Sequence, residues 1–542
     1  MGRVRNVVNR ANARLPLKTA AALLGGSTLL ASLLGLFRDR LLNSTYAATY
    51  PVGLDAYTVA FTIPDFMFFL LTSGALSVTF IPVFNERLAK GNKKSAWALS
   101  YSMINFMALV TLVASLLIII FADVLITLIW PGLNEQGHGL AVSMMRVIAV
   151  NPFIFAVASV IASMQQAVGR FIFFSLAPLI YNFGIIIGIV FFTNGITIFG
   201  FELFEGGIMG VALGVVLGSI LQLIVGAIGL IGMGFDYRFK IAWRNKAFRQ
   251  TLGLLPARSL DQGIDYINTI VETSLASRLA VGAIRNYQQA LTLHSVPINL
   301  IGVAISTAAF PQMTERLGLG QVDMFRKELQ SVLRVIIWLA LPVAVVTYFG
   351  RGYLASFLFN GGNPEVATAL GVLSIAIIFR SVYHIASRSF YAQKDTKTPL
   401  YISLFTIALN IALATWFTLG LGLGIFGLAW AQVITAASEV AILFAVMSTR
   451  IPKLFDEAFI SSIGRMLMAA VPTGFISWSS VKLFDFTVRD QSFFATFPKF
   501  ALIAMISLAA FVGLTYALRL SEAHKVIKWI NKGLFFQAKG QN

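Results

Sequence analysis

Apolar stretches, most of them long enough to cross a bilayer, recur along this chain with short polar and basic segments between them, and that recurrence most limits its fold. About 19 apolar residues in a helix cross the hydrocarbon layer. Inside lipid each backbone N–H and C=O needs a partner within the chain, and a helix supplies one for nearly all of them. The runs fall at 19–37, 56–84, 96–122, 140–168, 171–192, 206–232, 251–279, 291–314, 335–350, 367–390, 399–420, 423–447, 466–481 and 500–518. The expectation is an all-α polytopic membrane protein of about 14 transmembrane helices.

Composition agrees where it bears on this. With 57% hydrophobic and only 12% charged residues among 542, an ordinary soluble globule is excluded. The absence of cysteine removes disulfides and thiolate metal sites. A net charge of +18 would suit nucleic acid, but the basic residues lie between the spans. If every run crosses and the N-terminus is inside, about 30 of the 41 Lys and Arg face the inner side. About 8 face outward and about 3 (Arg146, Arg258 and Arg380) fall within spans. That bias predicts two cytoplasmic termini and no nucleic-acid partner. A cleaved signal peptide is the competing reading of residues 1–37, disfavoured by the length of the run and the lack of a small-x-small cleavage site.

The chain repeats itself. Pro82-Val83-Phe84-Asn85-Glu86-Arg87-Leu88 has a counterpart in Pro311-Gln312-Met313-Thr314-Glu315-Arg316-Leu317. Gly210-Val211-Ala212-Leu213-Gly214, with Gln222, matches Gly427-Leu428-Ala429-Trp430-Ala431, with Glu439 at the same spacing. Two parallel six-helix repeats are expected, plus two C-terminal helices outside them. The division expected is 1–235 for the first bundle and 236–450 for a basic amphipathic connector and the second bundle. Residues 451–542 would then hold the accessory pair and a basic cytoplasmic tail.

Charges beside or inside apolar runs are costly, and they mark function or pairing. Arg38, Asp39 and Asp55 flank the first two runs, and Pro64 breaks the second. Arg146, Arg258, Arg278 and Arg285 sit in or near outer halves of spans, against the orientation trend, where they bind an anion, snorkel, or pair with acids such as Asp261. Asp261, Asp265, Asn268 and Glu272 share one face of the seventh run, which suits Na⁺ or H⁺ coupling, with Asn410 from the eleventh. An Arg258–Asp261 ion pair gives the same pattern. Arg380, His384 and Arg388 form a basic stripe at i, i+4, i+8; Arg388 and Lys394 belong at the inner interface, and His384 reads as a packing residue. Nucleophile–base pairs, phosphate-binding glycine loops and metal-ligand clusters are missing from the sequence, so no enzyme and no resident cofactor is expected.

Several spaced blocks resemble the MurJ/MviN family, the lipid II flippases of bacterial cell-wall synthesis. They are Gly35-Leu36-Phe37-Arg38-Asp39, Leu54-Asp55-Ala56-Tyr57, Ala177-Pro178-Leu179-Ile180-Tyr181-Asn182, Leu275-Ala276-Ser277, Gly302-Val303-Ala304 and Arg388–Pro399. The resemblance implies the 14-helix fold of the multidrug/oligosaccharidyl-lipid/polysaccharide exporter superfamily. It implies a polyprenyl-pyrophosphate glycan as cargo, alternating access between two bundles, and cell-wall synthesis proteins as further partners. Arg38, Asp39, Asp55, Arg258, Arg278 and Arg285 are then the substrate-binding candidates, and Asp265, Glu272 and Asn410 the coupling candidates. The final two helices would offer the lipid tail an apolar groove. The chain departs from the family pattern at Ser32, Phe68-Phe69 and Thr292, where basic residues are expected. Two other readings fit those departures: an exporter of another lipid-linked oligosaccharide or amphipathic molecule, and a non-transporting scaffold for wall synthesis.

Overall fold

The computed structural model describes residues 17–71, 75–198, 201–485 and 492–528. Most of the basic N-terminal stretch and the end of the basic tail lie outside them. The described residues form a polytopic helical membrane fold in which 12 helical stretches are long and apolar enough to span. Helices also cover the first and seventh expected spans, Leu17–Tyr46 and Lys246–Ser277, which are not among those 12.

Residues 1–285 and 286–542 form two compact units. In the first, α1 (Leu17–Tyr46) runs nine residues past the apolar stretch, because the charges at its end find partners within the protein. The described residues of the second expected span lie in α2 (Pro51–Leu71) and α3 (Ala75–Ala89). α4 (Lys93–Ile129) is capped by Asn92, which accepts from Ser95 N–H. The fourth expected span divides at Ala149–Val150 into α5 (Glu135–Ile148) and α6 (Asn151–Ala167), with Pro152 in the first turn of α6, where its missing N–H costs nothing. Helices α7 (Ile172–Phe191) and α8 (Met209–Ile228) flank two short strands, Ile196–Ile198 and Phe201–Phe204, paired antiparallel. These strands are a small departure from the all-helix expectation.

α7 and α8 pack backbone to backbone. A Cβ built on Gly188 would lie 2.6 Å from the Gly214 Cα, and one on Gly184 would overlap Gly218. With lipid on both sides, such small-residue faces replace hydrophobicity as the basis of helix association. The connector is not helical at first. Asn105 of α4 donates to the carbonyls of Arg238 and Lys240, and Ser102 accepts from Ala242 N–H. Helix α9 (Lys246–Ser277) then starts under an Asn245 cap. The unit's core gathers Phe80, Phe84, Leu99, Met103, Met164 and Phe248.

The second unit holds most of α10 (Ala283–Ile298), which passes through a π-helical turn at Asn299–Val303, just after Pro297, into α11 (Ala304–Gly318). There follow α12 (Val322–Phe349), α13 (Arg351–Ser356), α14 (Pro364–Ala392) and α15 (Lys397–Thr415), the last ending in a second π turn. α16 (Ile425–Arg450), α17 (Glu457–Leu483) and α18 (Phe493–Ala517) complete it. The repeated glycines do the same work in each unit: a Cβ on Gly210 would strike the Phe192 backbone, and one on Gly427 that of Phe417. Each lets a helix start tightly against the end of its predecessor.

Candidate functional site

The last turns of α1 carry Arg38, Asp39 and Asn43 into a buried polar cluster. Arg38 donates through Nη1 to Asn182 Oδ1 of α7 (2.9 Å) and through Nε and Nη2 to Asp39 Oδ1 (3.3 and 3.0 Å). Asp39, whose side chain is 8% exposed, also accepts from Arg285 Nη2 (3.3 Å). Arg285 donates through Nε to Asn43 Oδ1 (2.9 Å), and its own side chain is 6% exposed. One carboxylate between two guanidinium groups gives a locally cationic centre in which Arg38 keeps some accessibility, at 22%. A planar fork of this kind suits paired hydrogen bonds to phosphate oxygens.

Asp55 plays a different part. Its two carboxylate oxygens accept the backbone N–H groups of Gly282 (2.6 Å) and Arg285 (2.8 Å). It therefore caps the start of α10 from another helix, supplying negative charge where the helix leaves donors unpaired. Gly282 adopts φ +94°, a left-handed conformation open mainly to glycine, and so turns the chain into that cap. The arrangement fixes Arg285 at the height of Asp39.

The other expected residues divide between the two units. Arg278, at the end of α9, is exposed. Arg146 is exposed and donates to the Ile119 carbonyl. The side chains of Arg258, Asp261 and Asp265 lie outside the described residues. Glu272 is buried and accepts from Asn268 Nδ2 at 3.3 Å. Asn410 belongs to the second unit, buried on α15, with neither side-chain atom hydrogen-bonded among the described residues. Also in that unit, Arg380 pairs with Glu439 (3.1 Å) and donates to Gln432 (3.0 Å), while Ser403 donates to Glu439 (2.9 Å). Arg388 donates to the Val303 carbonyl at the π turn and to Ser306. His384 sits half-buried beside Tyr383, against the turn's Gly302.

Sequence reasoning missed Asp65, the residue after Pro64. It accepts a hydrogen bond from the Tyr266 hydroxyl and lies within electrostatic reach of Arg38, Tyr57 and Tyr181. Its signal was present, an acid inside an apolar run. Phe66 and Phe69 pack on the Tyr266 ring at 6.1 and 5.3 Å between centroids, and Phe68 meets Phe155, which meets Tyr181. The pair Phe68-Phe69, standing where basic residues are expected, thus builds an aromatic wall.

Comparison with known proteins gives this geometry its setting. The family described as lipid II flippase MurJ matches residues 51–494. A probable lipid II flippase MurJ from Thermotoga maritima is 27% identical over 462 residues, covering 84% of this chain and 89% of that protein. The lipid II flippase MurJ of Burkholderia cenocepacia is 26% identical over 395 residues, 70% of this chain and 74% of its own. Among solved structures, a lipid II flippase MurJ in an inward closed conformation superposes with a TM-score of 0.73 at 24% identity, covering 92% of this chain and 99% of that one. An inward-facing multidrug resistance MATE family transporter of the MOP superfamily follows the same fold, with a TM-score of 0.67 at 17% identity over 80% of this chain and 98% of that one.

Proposed function

The chain belongs to the MurJ family of lipid II flippases, and from that premise we propose that it carries lipid II from the inner to the outer leaflet of the bacterial inner membrane by alternating access. It is a transporter, with no reaction to catalyse. The observation that supports this reading most is the Arg38–Asp39–Arg285 centre. Two guanidinium groups share one carboxylate, in a partly accessible position at the end of α1. A pyrophosphate arriving there competes with Asp39 for Arg38 and brings more acceptor oxygens than the aspartate offers.

Asp39 then returns Arg38 to its resting geometry after release. Asp55 holds the start of α10 so that Arg285 stays within reach. Arg278, exposed at the end of α9, and Arg258 are further cations for the headgroup. In the same reading a Na⁺ or H⁺ gradient drives the cycle through Asp265 and Glu272 of α9 and Asn410 of α15. The open apolar groove of about 580 Å³ lined by Val345, Phe349, Leu467, Val471, Phe475 and Trp478 takes a stretch of the polyprenyl tail. Both termini are cytoplasmic, and proteins of wall synthesis consume the exported precursor.

Complementation tests the proposal. A strain depleted of its own lipid II flippase is expected to resume growth on this chain and to stop accumulating precursor. Continued accumulation beside well-inserted protein would sink the reading.

A further inference from the structure

The structure points to a second recognition element, for positive rather than negative charge. We propose that Asp65, walled by Phe66, Phe69 and Tyr266, binds a primary ammonium group on the cargo's headgroup. The carrier's identity rests on the lipid II reading; the site itself does not.

Three observations converge. Asp65 is half-buried on a membrane helix, and among the described residues no ion pair reaches it. A carboxylate in that position is retained for a ligand or a proton. Asp39 and Asp55 are consumed by two guanidinium groups and two backbone amides. Asp65 has the Tyr266 hydroxyl, which leaves acceptor capacity open.

The second observation is the wall. Phe69 and Tyr266 stack at 5.3 Å and Phe66 lies 6.1 Å from Tyr266, so the ring whose hydroxyl bonds Asp65 is itself packed among aromatic side chains. Phe69 is 36% exposed and Asp65 and Tyr266 are half-buried, so a ligand can approach. Rings beside a carboxylate attract an ammonium by their faces and charge together. The third is charge. Arg38 and Arg285 outweigh Asp39, and Asp55 serves backbone amides, so Asp65 is the acid of this cluster that no guanidinium bonds among the described residues. Arg38 faces Asp65 electrostatically and is bound to Asp39 and Asn182; Tyr57 and Tyr181 are the other titratable neighbours. Arg38 and Asp65 together match a zwitterionic headgroup, phosphate at one point and ammonium at the other.

The test compares purified wild-type protein, Asp65→Asn and Asp65→Glu, each checked for folding by thermal melting. Probes are lysine-containing lipid II, the same lipid with the lysine amine acetylated, and dodecylamine. Wild type is expected to bind the free amine about tenfold more tightly than the acetylated form. Asp65→Asn should bind both alike, and Asp65→Glu should restore part of the preference. Equal binding of both lipids by wild type overturns the proposal, even should Asp65→Asn fail to fold. If neither lipid binds but dodecylamine does so in an Asp65-dependent way, the ammonium site stands and the lipid II reading falls. If dodecylamine also binds independently of Asp65, the site itself is refuted.

Discussion

Replacing Asp55 with alanine tests how the site is held in place. Both oxygens of Asp55 are occupied, by Gly282 N–H at 2.6 Å and Arg285 N–H at 2.8 Å, and the residue is 5% exposed. Alanine leaves two buried donors without acceptors, at roughly 1–3 kcal/mol each. Loss of negative charge at the helix start adds about 0.3–1 kcal/mol. The sum is roughly 2–7 kcal/mol, and the lower end is expected because a chain unfolded within the membrane finds other partners. Asparagine keeps one acceptor and should cost about half as much. Thermal melting in detergent, monitored by loss of monodisperse protein, should rank wild type above Asp55→Asn and Asp55→Ala. Because the carboxylate is already bonded to the backbone, affinity for lipid II should follow the folded fraction and not fall beyond it. An Asp55→Ala protein as stable as wild type but unable to bind would show the carboxylate serving cargo and not the helix.

Arg38→Ala should abolish flipping with insertion intact, and Arg38→Lys should recover little, since a point ammonium lacks the planar fork that makes a bidentate contact with phosphate oxygens; precursor accumulation against protein level decides this. Gly188→Val should lower the yield of folded protein through about 1–3 kcal/mol of overpacking against Gly214, a prediction that fails if the variant melts like wild type. Asp395, in the turn before α15, is partly desolvated, which raises its pKa, but hydrogen bonds from Thr398 and the Arg450 ion pair outweigh that and hold it at about 2. Its folded pKa lies below the unfolded value of about 3.9, so its contribution is full above about pH 5 and disappears as pH falls through 2. Asp395→Asn should cost about 1 kcal/mol at pH 7, allowing for solvent screening, and this difference in melting temperature should close near pH 2.

The membrane class and the approximate spans were legible because hydropathy is a local property: runs of apolar residues announce themselves. Helix ends were not. α1 continues to Tyr46 because Arg38, Asp39 and Asn43 are satisfied by Asn182 and Arg285, partners 144 to 246 residues away. The break between α5 and α6 and the π turn after Pro297 follow from packing and proline placement that a run of hydropathy conceals. In the site, Arg38 and Asp39 stood out as charges beside lipid. The capping role of Asp55 depends on the backbone of a distant helix start, which has no sequence signature at Asp55. Asp65 was visible as an acid inside an apolar run, yet its meaning needed Tyr266, about two hundred residues downstream, and the rings around it.

The most direct test of transport is the appearance of lipid II in the outer leaflet. Spheroplasts depleted of their own flippase and carrying this chain would be treated with a membrane-impermeant enzyme that cleaves the lipid II headgroup. Labelled lipid II should become cleavable when the wild-type chain is present and stay protected with Arg38→Ala at equal protein level. Protection in both would contradict the flippase reading, and equal cleavage in both would remove Arg38 from its centre.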